Sequence, residues 1–132
     1  MIGLIAALIV VVALGYWLCP AVHLPVIDGL TDKITALISI DTYKSVIAYQ
    51  ALQAGAHIVN DITALGDAGM AHVVGTMDAG LVLMHMAGNP RTMQRSVAYQ
   101  DLILEIFTFL QQRIDAAQTQ GIAPEQIMID PG

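Results

Sequence analysis

Apolar residues come along this chain in short runs that give out on a polar side chain, separated by stretches with helical spacing. Leu37-Ile38-Ser39-Ile40 ends on Asp41, His57-Ile58-Val59 on Asn60, and Ile127-Met128-Ile129 on Asp130. A further run covers residues 81–86. Apolar runs this short, without polar alternation, suit strands covered on both faces, as in a parallel sheet. Between them, residues 44–54 read as a helix, with Thr42 as candidate N-cap and Gly55 as the stop. Residues 67–77 form a short helix with Met70, Val73, Val74 and Met77 on one face. The strongest helical pattern spans residues 99–119, where Leu102, Ile106, Leu110, Ile114 and Ala117 make one stripe and Gly121 ends it. Upstream, Leu24, Ile27 and Leu30 mark the tail of a helix, and residues 87–96 are a Gly- and Pro-containing loop.

Strands alternating with helices in this way belong to a parallel sheet with helices on its faces. A barrel and a doubly wound sheet both satisfy that rule. Neither Gly-x-Gly-x-x-Gly nor Gly-x-x-x-x-Gly-Lys-Ser/Thr occurs, so nucleotide-binding versions lose their main support. Polar residues at the ends of three strands favour a barrel, because the C-terminal strand ends of a β/α barrel open onto one face. The expected fold is a partial (β/α)8 TIM barrel of about four parallel strands with their helices, with two unpaired edges.

The chain has 132 residues, enough for one domain. Its mean hydropathy is +0.66, and much of that sits at the start: residues 1–27 hold no Asp, Glu, Lys or Arg. The segment from Met1 to Leu18 is long enough to cross a bilayer as a helix, with Tyr16 and Trp17 at one interface. No basic residue precedes it, so it makes a poor cleavable signal. The division expected is an apolar N-terminal helix in residues 1–21, able to contact or anchor to a membrane, before a barrel portion in residues 22–132. A misjoined start with no part in the fold is the competing reading. The formal net charge is −6, and the basic residues Lys33, Lys44, Arg91, Arg95 and Arg113 are scattered, which argues against nucleic acid as a partner. Cys19 is the only cysteine, which excludes an internal disulfide.

Asp41, Asn60 and Asp130 are the candidate site. An ionised carboxylate only accepts hydrogen bonds, whereas an amide both donates and accepts. Converging on one pocket, they suit a flat heterocycle with a guanidine-like edge, whose paired N–H groups a carboxylate takes in parallel. The competing reading makes the aspartates turn formers and helix caps after strands. Both stand at this point. Asp61 reads as a brace for the next turn. His85 follows Met84, so strand alternation turns it away from the pocket. His23, His57 and His72 lack metal-ligand spacing, Ser39 lacks a His and Asp partner pattern, and Lys44, Arg91 and Arg95 read as surface groups.

Residues 22–132 resemble dihydropteroate synthase of the folate pathway. The resemblance rests on Leu24-Pro25-Val26-Ile27, Ile38-Ser39-Ile40-Asp41-Thr42-Tyr43-Lys44, Gly55-Ala56-His57-Ile58-Val59-Asn60-Asp61, the run from Leu83 to Gln94, Gly121-Ile122-Ala123 and Ile129-Asp130-Pro131-Gly132. The wording from Met84 to Gln94 is the most specific, and all motifs fall in the family's order. The resemblance implies an eight-stranded β/α barrel that condenses 6-hydroxymethyl-7,8-dihydropterin pyrophosphate with p-aminobenzoate, in the cytoplasm and as a homodimer. It implies pterin contacts for Asp41, Asn60 and Asp130, and a Met84 side chain packed on the pterin ring. It also implies magnesium, whose Asn ligand on the family's first strand has no counterpart here. The Ser-Thr-Arg-Pro-Gly loop, the Gly-Phe-Gly-Lys-type run and the later Lys, Arg and His that handle pyrophosphate are likewise unmatched. The expectation is therefore weak pterin recognition without turnover. An inactive remnant or a membrane-tethered association module is the alternative, and a methyltetrahydrofolate-dependent methyltransferase a lesser one.

Overall fold

Four apolar runs pair side by side in sequence order, as the alternation predicts. The structure, a computed structural model, describes residues 9–11, 20–86 and 100–132, with side chains from residue 24 onward. Its strands are β1 (Ile9–Val11), β2 (Ile38–Asp41), β3 (Ile58–Asp61), β4 (Gly80–Met84) and β5 (Ile127–Asp130). Its helices are α1 (Pro20–Thr31), α2 (Ser45–Gln53), α3 (Met70–Thr76) and α4 (Leu102–Thr119), with a 3-10 turn at Pro124–Gln126. All pairings are parallel, in the order β1-β2-β3-β4-β5.

The apolar head departs from expectation where it is described. Ile9–Val11 is a strand, paired with Ile38, Ser39 and Ile40, and not part of a helix. Ile9, Val10 and Val11 are all β-branched, which suits an extended edge partner better than a helix. The rest of the head, residues 1–8 and 12–19, lies outside the described residues. Among those that are described, no helix is long and apolar enough to cross a membrane.

One face of the sheet forms the core. Ile38 and Ile40 of β2, Val59 of β3, and Leu81 and Leu83 of β4 are buried against Ile27 of α1, Ala48, Ala51 and Leu52 of α2, and Met70 and Val74 of α3. Helix α4 adds Leu110 and Ala117 as buried residues. The expected stripe is only partly used: Leu102, at the first turn, is 47% exposed, while Phe109 packs on the core from outside the stripe.

Helix ends follow local chemistry, with one correction. Gly55 (φ +105°) and Gly121 (φ +89°) terminate α2 and α4 in the left-handed region, as expected of stop glycines. Asp101 caps α4 by accepting from the Leu104 N–H at 3.0 Å, and Glu105 reaches back to the Asp101 N–H at 3.1 Å. Thr42, however, does not cap α2. Its Oγ1 accepts from the Lys44 N–H at 3.2 Å, one residue short of the helix, and the Ser45 N–H goes to Asp67 at 3.0 Å. Asp67 itself lies before α3, which begins at Met70.

Gly55 is also a close approach. A Cβ there would come within 2.5 Å of Thr31 Oγ1, the hydroxyl that donates to the Ile27 and Ala54 carbonyls. Gly55→Ala should therefore destabilise the fold by about 1–3 kcal/mol, from left-handed backbone cost and displaced Thr31. A urea midpoint unchanged from the parent would show that the α1–α2 junction yields without penalty.

Candidate functional site

Parallel register places the site. Asp41 is aligned with Asn60, Asn60 with Val82, and Val82 with Met128, so one row of side chains crosses four strands. Met84 is aligned with Asp130, two residues further along. Side chains two apart on a strand share a face. Asp41, Asn60, Met84 and Asp130 therefore lie together on one face at the C-terminal end of the sheet. Adjacent strands stand about 4.8 Å apart, so the groups span the width of a small flat ring system. The core-forming side chains occupy the opposite face. All four site residues are half-buried, whereas Ile38, Ile40, Leu81 and Leu83 are fully enclosed.

The polar groups are poised differently. Asn60 carries a buried side-chain Oδ1 with no hydrogen-bond donor. Buried acceptors are nearly always satisfied, so a donor from outside the protein fits here. Burial raises the Asp41 carboxyl above its ordinary range, and the nearby charge of Asp61 adds to the effect. A raised carboxyl favours the protonated folded state. Its stabilising contribution is full at acid pH and is lost as the pH climbs from 3.8 through the higher folded value. An ionised Asp41 at neutral pH thus costs the protein stability, and an N–H-bearing ligand would offset that cost. Asp130 accepts from the Gly132 N–H at 2.9 Å, so it also serves as the turn former that the competing reading proposed.

The neighbours sort as the strand alternation implied. Asp61 is fully buried on the core side and accepts from Thr63 N–H at 2.9 Å, Thr63 Oγ1 at 2.8 Å and Leu65 N–H at 2.8 Å, which makes it the brace of the β3–α3 turn. His85 faces α4, edge-on to Phe109 with ring centroids 5.2 Å apart. His57 Nδ1 accepts from the Ile38 N–H at 3.1 Å, a link between neighbouring strands far from the site end. Lys44 is exposed, with its ammonium 5.8 Å from the Tyr43 ring centroid. Arg91 and Arg95 lie outside the described residues, as do the histidine ring of residue 23 and the specific loop wording beyond Met86. Among the described residues, no three His, Cys, Asp or Glu side chains come together to hold a metal ion.

Sequence reasoning missed the pair Ser45 and Asp67. Ser45 Oγ, at the first residue of α2, donates to the carboxylate of Asp67 in the loop before α3, at 3.0 and 3.1 Å from its two oxygens. The Asp67-Ala68-Gly69 wording signals a local turn, which Asp67 makes by accepting from the Gly69 N–H at 2.9 Å. Nothing in the spacing signals the longer reach to Ser45.

Residues 22–132 match the family model described as "Pterin binding enzyme". A dihydropteroate synthase of Synechocystis is 44% identical over 110 residues, covering 83% of this chain and 38% of that protein. The Escherichia coli K12 dihydropteroate synthase is 34% identical over 109 residues, covering 83% of this chain and 39% of that enzyme. Among solved structures, Yersinia pestis dihydropteroate synthase in a sulfonamide drug complex superposes with a TM-score of 0.80 at 34% identity, covering 83% of this chain and 40% of that one. The Xanthomonas albilineans enzyme in complex with 7,8-dihydropteroate gives a TM-score of 0.74 at 35% identity, covering 83% of this chain and 40% of that one. These relatives are β/α barrels, of which the chain spans about two-fifths of the length. On both sequence and fold, the chain belongs to the pterin-binding enzyme family, alongside the dihydropteroate synthases.

Proposed function

We propose that this chain is the pterin-recognising part of a dihydropteroate synthase, the transferase that condenses 6-hydroxymethyl-7,8-dihydropterin pyrophosphate with p-aminobenzoate. One observation carries the reading: Asp41, Asn60, Met84 and Asp130 share a single half-buried face in adjacent register rows. Asp130 and Asp41 supply acceptors for the amino-bearing edge of the ring, and Asn60 Oδ1 takes a further N–H. Met84 lays a polarizable thioether on the ring face. As pyrophosphate leaves the substrate, positive charge grows on the pterin methylene, and fixed carboxylates beside the ring stabilise it before the arylamine attacks. That the Xanthomonas albilineans relative is described in complex with 7,8-dihydropteroate, and again with 4-aminobenzoic acid, supports the choice of substrates. With this reading go a cytoplasmic location and a homodimer, both carried by the family resemblance.

Isothermal calorimetry with 7,8-dihydropterin and the full chain tests the reading. Binding in the micromolar to millimolar range is expected, roughly −4 to −8 kcal/mol. The companion measurement, pyrophosphate release from the pterin substrate with p-aminobenzoate present, should show no turnover, because the family's pyrophosphate-handling residues have no match in this chain. Absence of any saturable heat at millimolar dihydropterin would remove pterin recognition. Clear dihydropteroate formation would overturn the inactivity.

A further inference from the structure

Hydrogen bonds tie the β2–α2 connection and the start of α2 to the β3–α3 loop at the site end of the sheet. Beginning at Asn60, its backbone carbonyl accepts from the Thr42 N–H at 3.1 Å. Thr42 Oγ1 accepts from the Lys44 N–H at 3.2 Å, and the next residue, Ser45, donates its N–H to Asp67 at 3.0 Å. The Ser45 hydroxyl donates to the same carboxylate at 3.0 Å. Asp67 leads back along the chain to Asn60 through a turn whose Thr63 and Leu65 amides are held by Asp61. Gly69 permits the closure, since a Cβ there would meet Ser45 Oγ at 2.8 Å. The path runs through Asn60 and through Thr42, the residue after Asp41, so it adjoins the aligned pair Asp41 and Asn60.

We propose that Asp67, acting through Ser45, is a positioning residue that fixes the Asp41–Asn60 spacing across β2 and β3, and thereby the affinity of the site for a donor-bearing ring edge. The role rests on the pterin reading above for its consequence, though not for its geometry. Neither Ser45 nor Asp67 is among the four residues of the ring-facing rows. Their bonds span 22 residues of sequence and join the start of α2, which follows Asp41, to the loop that follows Asn60 and Asp61. The amides of Ser45 and Gly69 hold the Asp67 carboxyl below its ordinary range, so it is ionised, and the clasp closed, at neutral pH.

Nuclear magnetic resonance on the isotopically labelled full chain, without ligand, reads the geometry. Asp67→Ala should move the Asn60 side-chain amide signals and the Asp41 carboxyl titration, while Ser45→Thr, which keeps the hydroxyl and the N–H, should leave both as in the parent. Calorimetry with 7,8-dihydropterin should show about a tenfold loss for Asp67→Ala, equivalent to about 1.4 kcal/mol. The double variant Ser45→Ala/Asp67→Ala should lose no more than Asp67→Ala alone. If Asp67→Ala fails to fold, Ser45→Ala should move the same signals by a smaller amount, since it removes the hydroxyl bonds and leaves the Ser45 N–H on Asp67. Unmoved Asn60 and Asp41 signals in a folded variant would overturn the proposal. Moved signals in a chain that binds no dihydropterin would uphold the clasp and defeat the pterin reading instead.

Discussion

Asp61→Ala should lower the stability of the fold by about 3–6 kcal/mol, the largest loss expected from any single change at the site end of the sheet. Asp61 is 0% exposed, and its carboxylate accepts three hydrogen bonds, two of them from backbone N–H groups of Thr63 and Leu65. Bonds to a charged acceptor contribute about 1.5–3 kcal/mol each, and the orphaned donors would keep their desolvation cost. The turn is also strained. Ala64 (φ 47°) and Leu65 (φ 66°) both sit in the left-handed region without being glycine, and the Asp61 carboxylate is what spans them. Asp61→Asn retains one acceptor and should fall between. Urea unfolding monitored by circular dichroism gives the answer. A loss smaller than about 1 kcal/mol would mean that backbone contacts alone hold this turn.

A second large effect is expected in binding rather than stability. Asp130→Ala should weaken dihydropterin affinity about a hundredfold, near 2.7 kcal/mol, because a bidentate charge-assisted pair is lost. Its effect on the fold should stay below about 1 kcal/mol, since the side chain is half-buried and its protein bond is one turn contact to Gly132. This separation of affinity from stability is the signature of a residue that faces ligand. Unchanged affinity in Asp130→Ala would mean that the ring is held elsewhere, and a large loss of stability would favour Asp130 as a turn former alone.

The contrast between Asp61 and Asp130 shows why sequence position alone could not assign them. Both follow apolar strand runs and both accept from backbone amides two residues on. Which face each occupies follows from register: Asp61 aligns with Leu83 on the core side, Asp130 with Met84 on the open side. A shift of one residue in pairing would exchange them.

Much of the architecture was readable from local pattern. The order of strands and helices, the polar strand ends at Asp41, Asn60 and Asp130, the stops at Gly55 and Gly121, and the turn of His85 away from the site face all follow from spacing and backbone preference. These depend on contacts within a few residues, which the sequence states directly. Other features needed the assembled sheet. Thr42 looked like the cap of α2, but Asp67, 22 residues beyond Ser45, reaches the helix start instead. Ile9–Val11 looked helical in an apolar run, yet it pairs with β2 because an open parallel edge offers its β-branched residues a ladder of hydrogen bonds. The unpartnered Asn60 oxygen and the raised Asp41 carboxyl exist only once strands distant in sequence bury them side by side. Local periodicity chose the elements, and pairing across the sheet decided which polar groups meet, because burial and register are sums over residues far apart in the chain.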